Sequence, residues 1–255
     1  MTFSLPDDIK ALIERGALFV INDSGGKDSQ AMKVLMKRHI PGRQLLIVHA
    51  VLEGEEWEGT DAHVHRYAGT TPVLVARGVK TFAEMVERRR MFPSPQQRQC
   101  TSDLKRDPID REIRRHLAKH PEFGGLVVNS MGMRSQESPA RAKLIPFKRN
   151  TRNSKAGRAW FDWLPIHDFT TAQVFQTIED HGQVPHWAYG VGMTRLSCMF
   201  CIMSSQGDLR RAAQHNPAAY RERVQLERRI GHTINMEGRP LDHVVGIPVD
   251  LDPAL

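Results

Sequence analysis

The run "ALFVIND" (17–23) passes straight into "SGGKDS" (24–29), and this junction constrains the fold more than any other feature. Five consecutive apolar residues bounded by Gly16 and a glycine pair read as a strand buried on both faces. The next segment, "KDSQAMKVLMKRH" (27–39), places Met32, Leu35 and Met36 at helical spacing. The same alternation recurs downstream. "RQLLIVHAVL" (43–52), "TPVLVAR" (71–77) and "GGLVVNSMGMR" (124–134) read as strands, while "GTDAHVHRYAG" (59–69), "TFAEMVERRR" (81–90) and "DPIDREIRRHLAKH" (107–120) read as helices. In the last of these, Asp107 reads as an N-cap with Pro108 at the first helical position. Strands alternating with helices of this length imply an α/β fold, a doubly wound parallel sheet with helices on both faces.

Residues 146–163 are basic and weakly apolar and read as a loop. "TTAQVFQTIEDHG" (170–182) and "RERVQLERRIG" (221–231) are helices ended by glycine. The expected division is a nucleotide-binding α/β domain over 1–165 and a smaller helical, cysteine-bearing segment over 166–255. Of the 255 residues 40% are hydrophobic and 25% charged, which suits a soluble globular chain. No apolar run approaches the roughly 20 residues of a membrane span, and no secretory leader pattern opens the sequence, so a cytoplasmic protein with no membrane partner is expected. The formal net charge is +7, and the excess is clustered at Arg88–Arg90, in 105–120 and in 148–158. A basic surface of this kind favours anionic partners, nucleic acid included.

Ligands of open parallel sheets bind beyond the carboxyl ends of the strands. "SGGKDS" sits there. Gly25 and Gly26 lack Cβ atoms and tolerate positive φ, so the chain can curl with its N–H groups turned inward. The helix starting near Asp28 adds the positive end of its dipole. Ser24 and Ser29 add hydroxyls and Lys27 a charge, which together make a cradle for phosphate or pyrophosphate. A glycine pair alone would be no more than a capped turn. The string is not a Walker A loop, because Ile21 and Asp28 stand where that motif needs glycine and Ser or Thr, and G-x-G-x-x-G is missing. A second anion-handling element is "GMRSQES" (132–138), after the fourth apolar run. Gly132 permits close backbone approach, Arg134 can fork onto phosphate or sulfate oxygens, and Glu137 can orient Arg134 or pair with Arg141.

"SGGKDS" after a hydrophobic strand resembles the pyrophosphate loop of the N-type ATP pyrophosphatase superfamily, also described as adenine nucleotide alpha hydrolase-like. Within it, the chain resembles the phosphoadenosine phosphosulfate reductase family. "CTSDLKRDPI" (100–109), "MGMRSQESPAR" (131–141) and "RLSCMFC" (195–201), followed by "NPAAYRERVQLERRIG" (216–231), match that family's segments in order, over about residues 17–232. Where the family often carries an acidic residue after its second strand, Val51 stands here, and Glu56 is the substitute carboxylate for magnesium or ribose. By the same resemblance Lys105 reaches the nucleotide's anionic end.

Cys198 and Cys201 form C-x-x-C, with Cys100 distant in sequence. Such a pair serves as a zinc half-site, a redox dithiol or part of a cluster site. The resemblance, to the iron–sulfur branch, implies a [4Fe–4S] cluster on Cys100, Cys198 and Cys201. A zinc site completed by His186 or His215 is the alternative. The function this implies has ATP (or an adenylyl sulfate) and Mg²⁺ as cofactors, with Lys27, Arg134 and Lys105 at the reacting phosphates. It is an ATP pyrophosphatase that adenylates DNA or tRNA for iron–sulfur-assisted sulfur transfer, with a cysteine desulfurase as a possible donor partner and a homo-oligomer as a possible assembly. The alternatives are reduction of phosphoadenylyl or adenylyl sulfate to sulfite with electrons passing through the cluster, and a non-catalytic nucleotide-sensing subunit that binds nucleic acid. The family's cluster-free reductases carry a nucleophilic cysteine near the C-terminus, and the tail "GIPVDLDPAL" (246–255) has none, so thioredoxin-linked reduction of an activated sulfate is not the expected route.

Overall fold

The computed structural model describes residues 3–249, so residues 250–255 of the tail lie outside the described residues. The chain divides into two compact units. The first comprises Met1–Ala50, Gly59–Ala76 and Ile109–His186, and the second comprises Val51–Glu58, Arg77–Pro108 and Trp187–Leu255.

The first unit is built on a six-stranded sheet. Its strands are β1 (Leu18–Asn22), β2 (Leu45–Val51), β3 (Val73–Arg77), β4 (Leu126–Ser130), β5 (Phe147–Arg149) and β6 (Ala159–Trp163), in the order β3-β2-β1-β4-β6-β5. β1 pairs in parallel with both β2 and β4, and β4 pairs in parallel with β6. The edge strand β5 is antiparallel to β6. The sheet is therefore mixed and mostly parallel, and the order reverses at β1. The described helices include α1 (Asp7–Glu14), α2 (Lys27–His39), α3 (Thr60–Arg66), α4 (Phe82–Arg89), α5 (Asp107–Lys119), α6 (Thr171–Glu179), α7 (Gln206–His215), α8 (Pro217–Ile230) and α9 (Leu241–Val245).

Strand side chains alternate between faces. Phe19 and Ile21 of β1 therefore pack with Met32 and Met36 of α2, Val64 of α3 and Val174 and Ile178 of α6. Leu18 and Val20 face the opposite way, against Ile113 and Leu117 of α5 and Trp160 of β6. Burial on both faces is what makes β1 a continuous apolar run. The second unit has its own core, in which Met85 and Val86 of α4, Leu209 and Ala212 of α7 and Val224 of α8 join Trp57 and Phe200.

Two local expectations change. The segment 146–163 is not a loop throughout, since it supplies both β5 and β6. β5 has only three residues, two of them exposed cations at the sheet edge, and β6 carries Asp162 in mid-strand, so neither shows a clear apolar period. Asp162 is tolerated because Asn150 donates to its Oδ2 at 3.0 Å. Asp107 is not an N-cap either. A helical turn over Gln99–Thr101 and a π-helical stretch over Ser102–Arg106 lead into α5 without a break, and Asp107 itself has φ −68° and ψ −40°. The wider register just before Pro108 accommodates a ring that cannot donate a hydrogen bond. No helix of the described residues is long and apolar enough to cross a membrane.

Candidate functional site

The turn between β1 and α2 lies at the carboxyl end of β1, beside the point where the strand order reverses, which is where open α/β sheets bind ligands. Gly25 adopts φ +73°, the conformation the sequence reserved glycine for. Asp23 holds the turn from within. Its Oδ1 accepts the Gly25 N–H at 2.9 Å and lies 2.9 Å from the Ser29 hydroxyl. Its Oδ2 accepts from the Lys33 ammonium at 2.5 Å. The two side chains of this ion pair are 0% and 1% exposed. The Asp23 carbonyl accepts from His49 Nδ1 at 2.8 Å, and the Ser24 N–H donates to the Ser29 hydroxyl at 3.2 Å. Burial works to raise the Asp23 carboxyl, but Lys33, the Gly25 amide and the Ser29 hydroxyl together hold it below its ordinary value. The loop is thus fixed before any ligand arrives. Neither Asp23 nor Lys33 stood out in the sequence, where Lys33 reads as one more helical cation.

The first-turn amides of a helix have no intrahelical acceptor, and at α2 these belong to Lys27, Asp28 and Ser29. Lys27 is buried and its ammonium contacts Asp28 Oδ2 at 3.0 Å. Asp28 Oδ1 accepts from Arg134 Nε at 2.6 Å, so this carboxylate joins the loop to the segment after β4. Arg134 is 3% exposed, and its guanidinium also donates to Gln136 Oε1, the Phe169 carbonyl and the Thr171 hydroxyl. Its backbone N–H donates to Glu137 Oε2, which is also ion-paired to Arg141. Arg134 and Glu137 therefore fix the second segment against the loop, with the Arg134 guanidinium already surrounded by acceptors.

Gly132 explains how the two segments come so close. A Cβ at that position would stand 3.0 Å from the backbone C and O of Asp28 and from the Ser29 N. The Gly132→Ala variant is expected to push the first turn of α2 aside. That costs about 1–3 kcal/mol of stability and weakens binding of adenine nucleotide more than tenfold, as calorimetric titration will show.

A histidine pair lies on the same unit. His63 of α3 donates from Nε2 to Gln30 Oε1 at 3.1 Å, and its ring centroid is 5.3 Å from that of the buried His186. Burial first, then the neighbouring His186, lowers the His63 pKa to about 4. Because the unfolded chain takes its proton first, near 6.5, this group's contribution to stability declines as pH falls from 6.5 toward 4. An imidazole resonance titrating near 6.5 in the folded protein would contradict this.

The cysteines lie in the second unit. Cys100 and Cys198 are packed, half-buried, against its apolar core. Cys201 accepts from the Met203 N–H at 3.5 Å. Burial pushes the Cys198 thiol up to about 11, with Lys105 opposing the shift, and burial likewise raises Cys100. Glu56 and Lys105 also interact electrostatically. The expected [4Fe–4S] cluster and its zinc alternative are not upheld. Among the described residues no group of three or more His, Cys, Asp or Glu side chains is arranged to hold a metal ion. The three thiols do not form a clustered ligand set among the described residues. Nor do the proposed histidines complete a set, since His186 packs against His63 in the first unit and His215 against the Trp187 ring.

Residues 19–204 match the family described as phosphoadenosine phosphosulfate reductase domain, and the match takes in the loop, the Arg134 segment and all three cysteines. The chain belongs to this family. Its sheet is consistent with the adenine nucleotide alpha hydrolase-like superfamily. An uncharacterized 37.8 kDa protein of Escherichia phage 186 is 34% identical over 119 residues, which is 46% of this chain and 34% of that protein. The chain thus spans about a third of the length of the curated relative it matches. Among solved structures, the FMN adenylyltransferase of Candida glabrata with FMN and an ATP analogue is 14% identical. It has a TM-score of 0.45 and covers 72% of this chain and 54% of its own. The phosphoadenylyl-sulfate reductase of Candida auris, in a phosphate complex, is 13% identical. It has a TM-score of 0.45 and covers 78% of this chain and 98% of its own.

Proposed function

We propose that this member of the phosphoadenosine phosphosulfate reductase family binds an adenylyl sulfate, with or without a 3′-phosphate, and reduces it to sulfite. The observation that carries the reading is the prefixed turn Asp23–Ser29, locked by Lys33 and lying within the residues that match the family. In this reading the amides at the start of α2 and the Lys27 ammonium hold the anionic end of the nucleotide. Their dipole and charge are oriented in advance, so binding requires little reorganisation. Arg134 keeps the loop in place through Asp28. The chemistry breaks the bond between sulfur and the bridging oxygen. Sulfur takes up two electrons and leaves as sulfite, and the adenosine phosphate keeps the oxygen. The two electrons come from a dithiol reductant outside the chain, acting directly on the bound ester without a cysteine in residues 246–255; it is oxidised to a disulfide and supplies the protons.

The test supplies adenosine 5′-phosphosulfate or its 3′-phosphorylated form together with a dithiol, and in parallel ATP with magnesium, using wild type and Lys27→Ala. Sulfite release that falls at least tenfold in the variant is the expected result. Pyrophosphate release from ATP without sulfite would favour an adenylating activity instead. Nucleotide binding with neither product would leave a nucleotide-sensing subunit.

A further inference from the structure

The two basic stretches of the first unit, far apart in sequence, form one surface. Arg114 of α5 donates from Nη1 to Asn153 Oδ1 at 3.2 Å. Asn153 donates in turn to Asp110 Oδ2 at 2.9 Å, and Arg152 Nη1 lies 3.6 Å from the same oxygen. The turn that connects β5 to β6 is therefore tied to the flank of α5. Arg111, Arg115 and Lys119 follow one another at four-residue spacing along that helix, which puts them on one face. Lys148 and Lys155 are exposed on the strand and turn beside it. The nearby carboxylates are already engaged. Glu112 is paired with Arg111 at 2.8 Å and Arg115 at 2.9 Å, Asp110 is buried, and Asp162 accepts from Asn150. What reaches solvent is a net-positive face.

We propose that this face, made by α5 and the 148–158 segment, docks the phosphate backbone of double-stranded nucleic acid. Charge complementarity selects a polyanion, and spacing the cations along a helix and a neighbouring turn suits a row of phosphates rather than a single anion. The composition selects a duplex over a single strand. Proteins that hold single strands stack bases on exposed aromatic rings, whereas residues 148–158 contain no aromatic side chain and Trp160 beyond them is buried. The surrounding groups are asparagine, serine and threonine, which hydrogen-bond phosphate oxygens. The inference does not depend on the sulfite-forming reading, since none of these residues belongs to the nucleotide loop.

The test is fluorescence anisotropy of the full chain with a labelled random-sequence DNA duplex and its single strand, between about 50 and about 200 mM salt. The expected result is tighter binding of the duplex, with affinity falling steeply as salt rises. The triple variant Arg115→Glu/Lys148→Glu/Lys155→Glu is expected to weaken it more than tenfold and to flatten the logarithmic salt slope by about 2–3. A control variant at another exposed basic site, Arg88→Glu/Arg90→Glu, stays within about twofold of wild type. The Gln versions of the three substitutions serve if charge reversal disturbs folding, with adenine nucleotide binding as the check on integrity. Absence of duplex binding at low salt, preference for the single strand, or equal losses in the triple and control variants would each overturn the proposal.

Discussion

Replacing Lys33 with methionine is expected to destabilise the first unit by about 3–5 kcal/mol, the cost of leaving a buried carboxylate without its counter-ion. Lys33 contacts the Asp23 carboxylate directly, and both side chains are closed off from water. Thermal denaturation of Lys33→Met should show the loss at neutral pH. The double variant Asp23→Leu/Lys33→Met separates two effects of the pair. It removes the unpaired charge and regains much of the stability, yet it also removes the acceptor that fixes Gly25 and Ser29, so nucleotide affinity stays low. The pH dependence follows from the same pair. Asp23 titrates below 3.8 in the folded protein, so its stabilising contribution is full above that value and is lost as pH falls through the lower folded value. Lys33→Met should reverse that dependence, because burial then raises the Asp23 carboxyl and protonation at acid pH relieves the unpaired charge. A variant with wild-type stability at pH 7 would mean that Asp23 is not held as a buried ion.

The second large effect is at Arg134. Truncation to alanine removes one of the two cationic partners of Asp28, leaving it Lys27, and leaves the Phe169 carbonyl and Thr171 hydroxyl without the guanidinium donor. Hydrogen bonds to charged groups are worth more than neutral ones, and Asp28 keeps partial access to water, so a loss of about 2–3 kcal/mol is expected. Arg134→Lys is not a conservative change here. An ammonium cannot span the Asp28 carboxylate on one side and the Phe169 and Thr171 oxygens on the other. Both variants should lose nucleotide affinity together with stability, measured by calorimetry and melting. If Arg134→Lys binds nucleotide as wild type does, Arg134 acts on the ligand as a simple charge and not through Asp28.

Strands β1 to β4 could be read from the sequence because each is a short apolar run between turn-forming residues, too short for a helix; β1, β2 and β4 are apolar because both faces are buried, whereas β3 lies half-exposed at the sheet edge. β5 could not, because an edge strand bearing Lys148 and Arg149 has no reason to look apolar, and β6, though four of its five residues are apolar, was hidden by the basic stretch before it and by Asp162, which Asn150 satisfies. The glycines of the loop were legible, since Gly25 needs a positive φ and Gly132 a missing Cβ. The supporting ion pairs were not. Asp23 and Lys33 are ten residues apart across a turn, and Asp28 meets Arg134 only because β1 and β4 are neighbours in the sheet. The cysteines show the opposite failing. C-x-x-C spacing and a family resemblance suggested ligands, but spacing carries no information about what surrounds a side chain, and Cys100 and Cys198 pack half-buried against an apolar core.

The central claim is that the turn Asp23–Ser29 grips the anionic end of an adenine nucleotide. It is tested most directly by following backbone amide resonances while pyrophosphate, and then adenosine 5′-phosphosulfate, is added to the ¹⁵N-labelled protein. The account predicts that the largest shifts from both ligands fall on Gly25, Gly26, Lys27 and Asp28, and that Lys33→Met reduces them. Saturable nucleotide binding that leaves those four amides unmoved would contradict it.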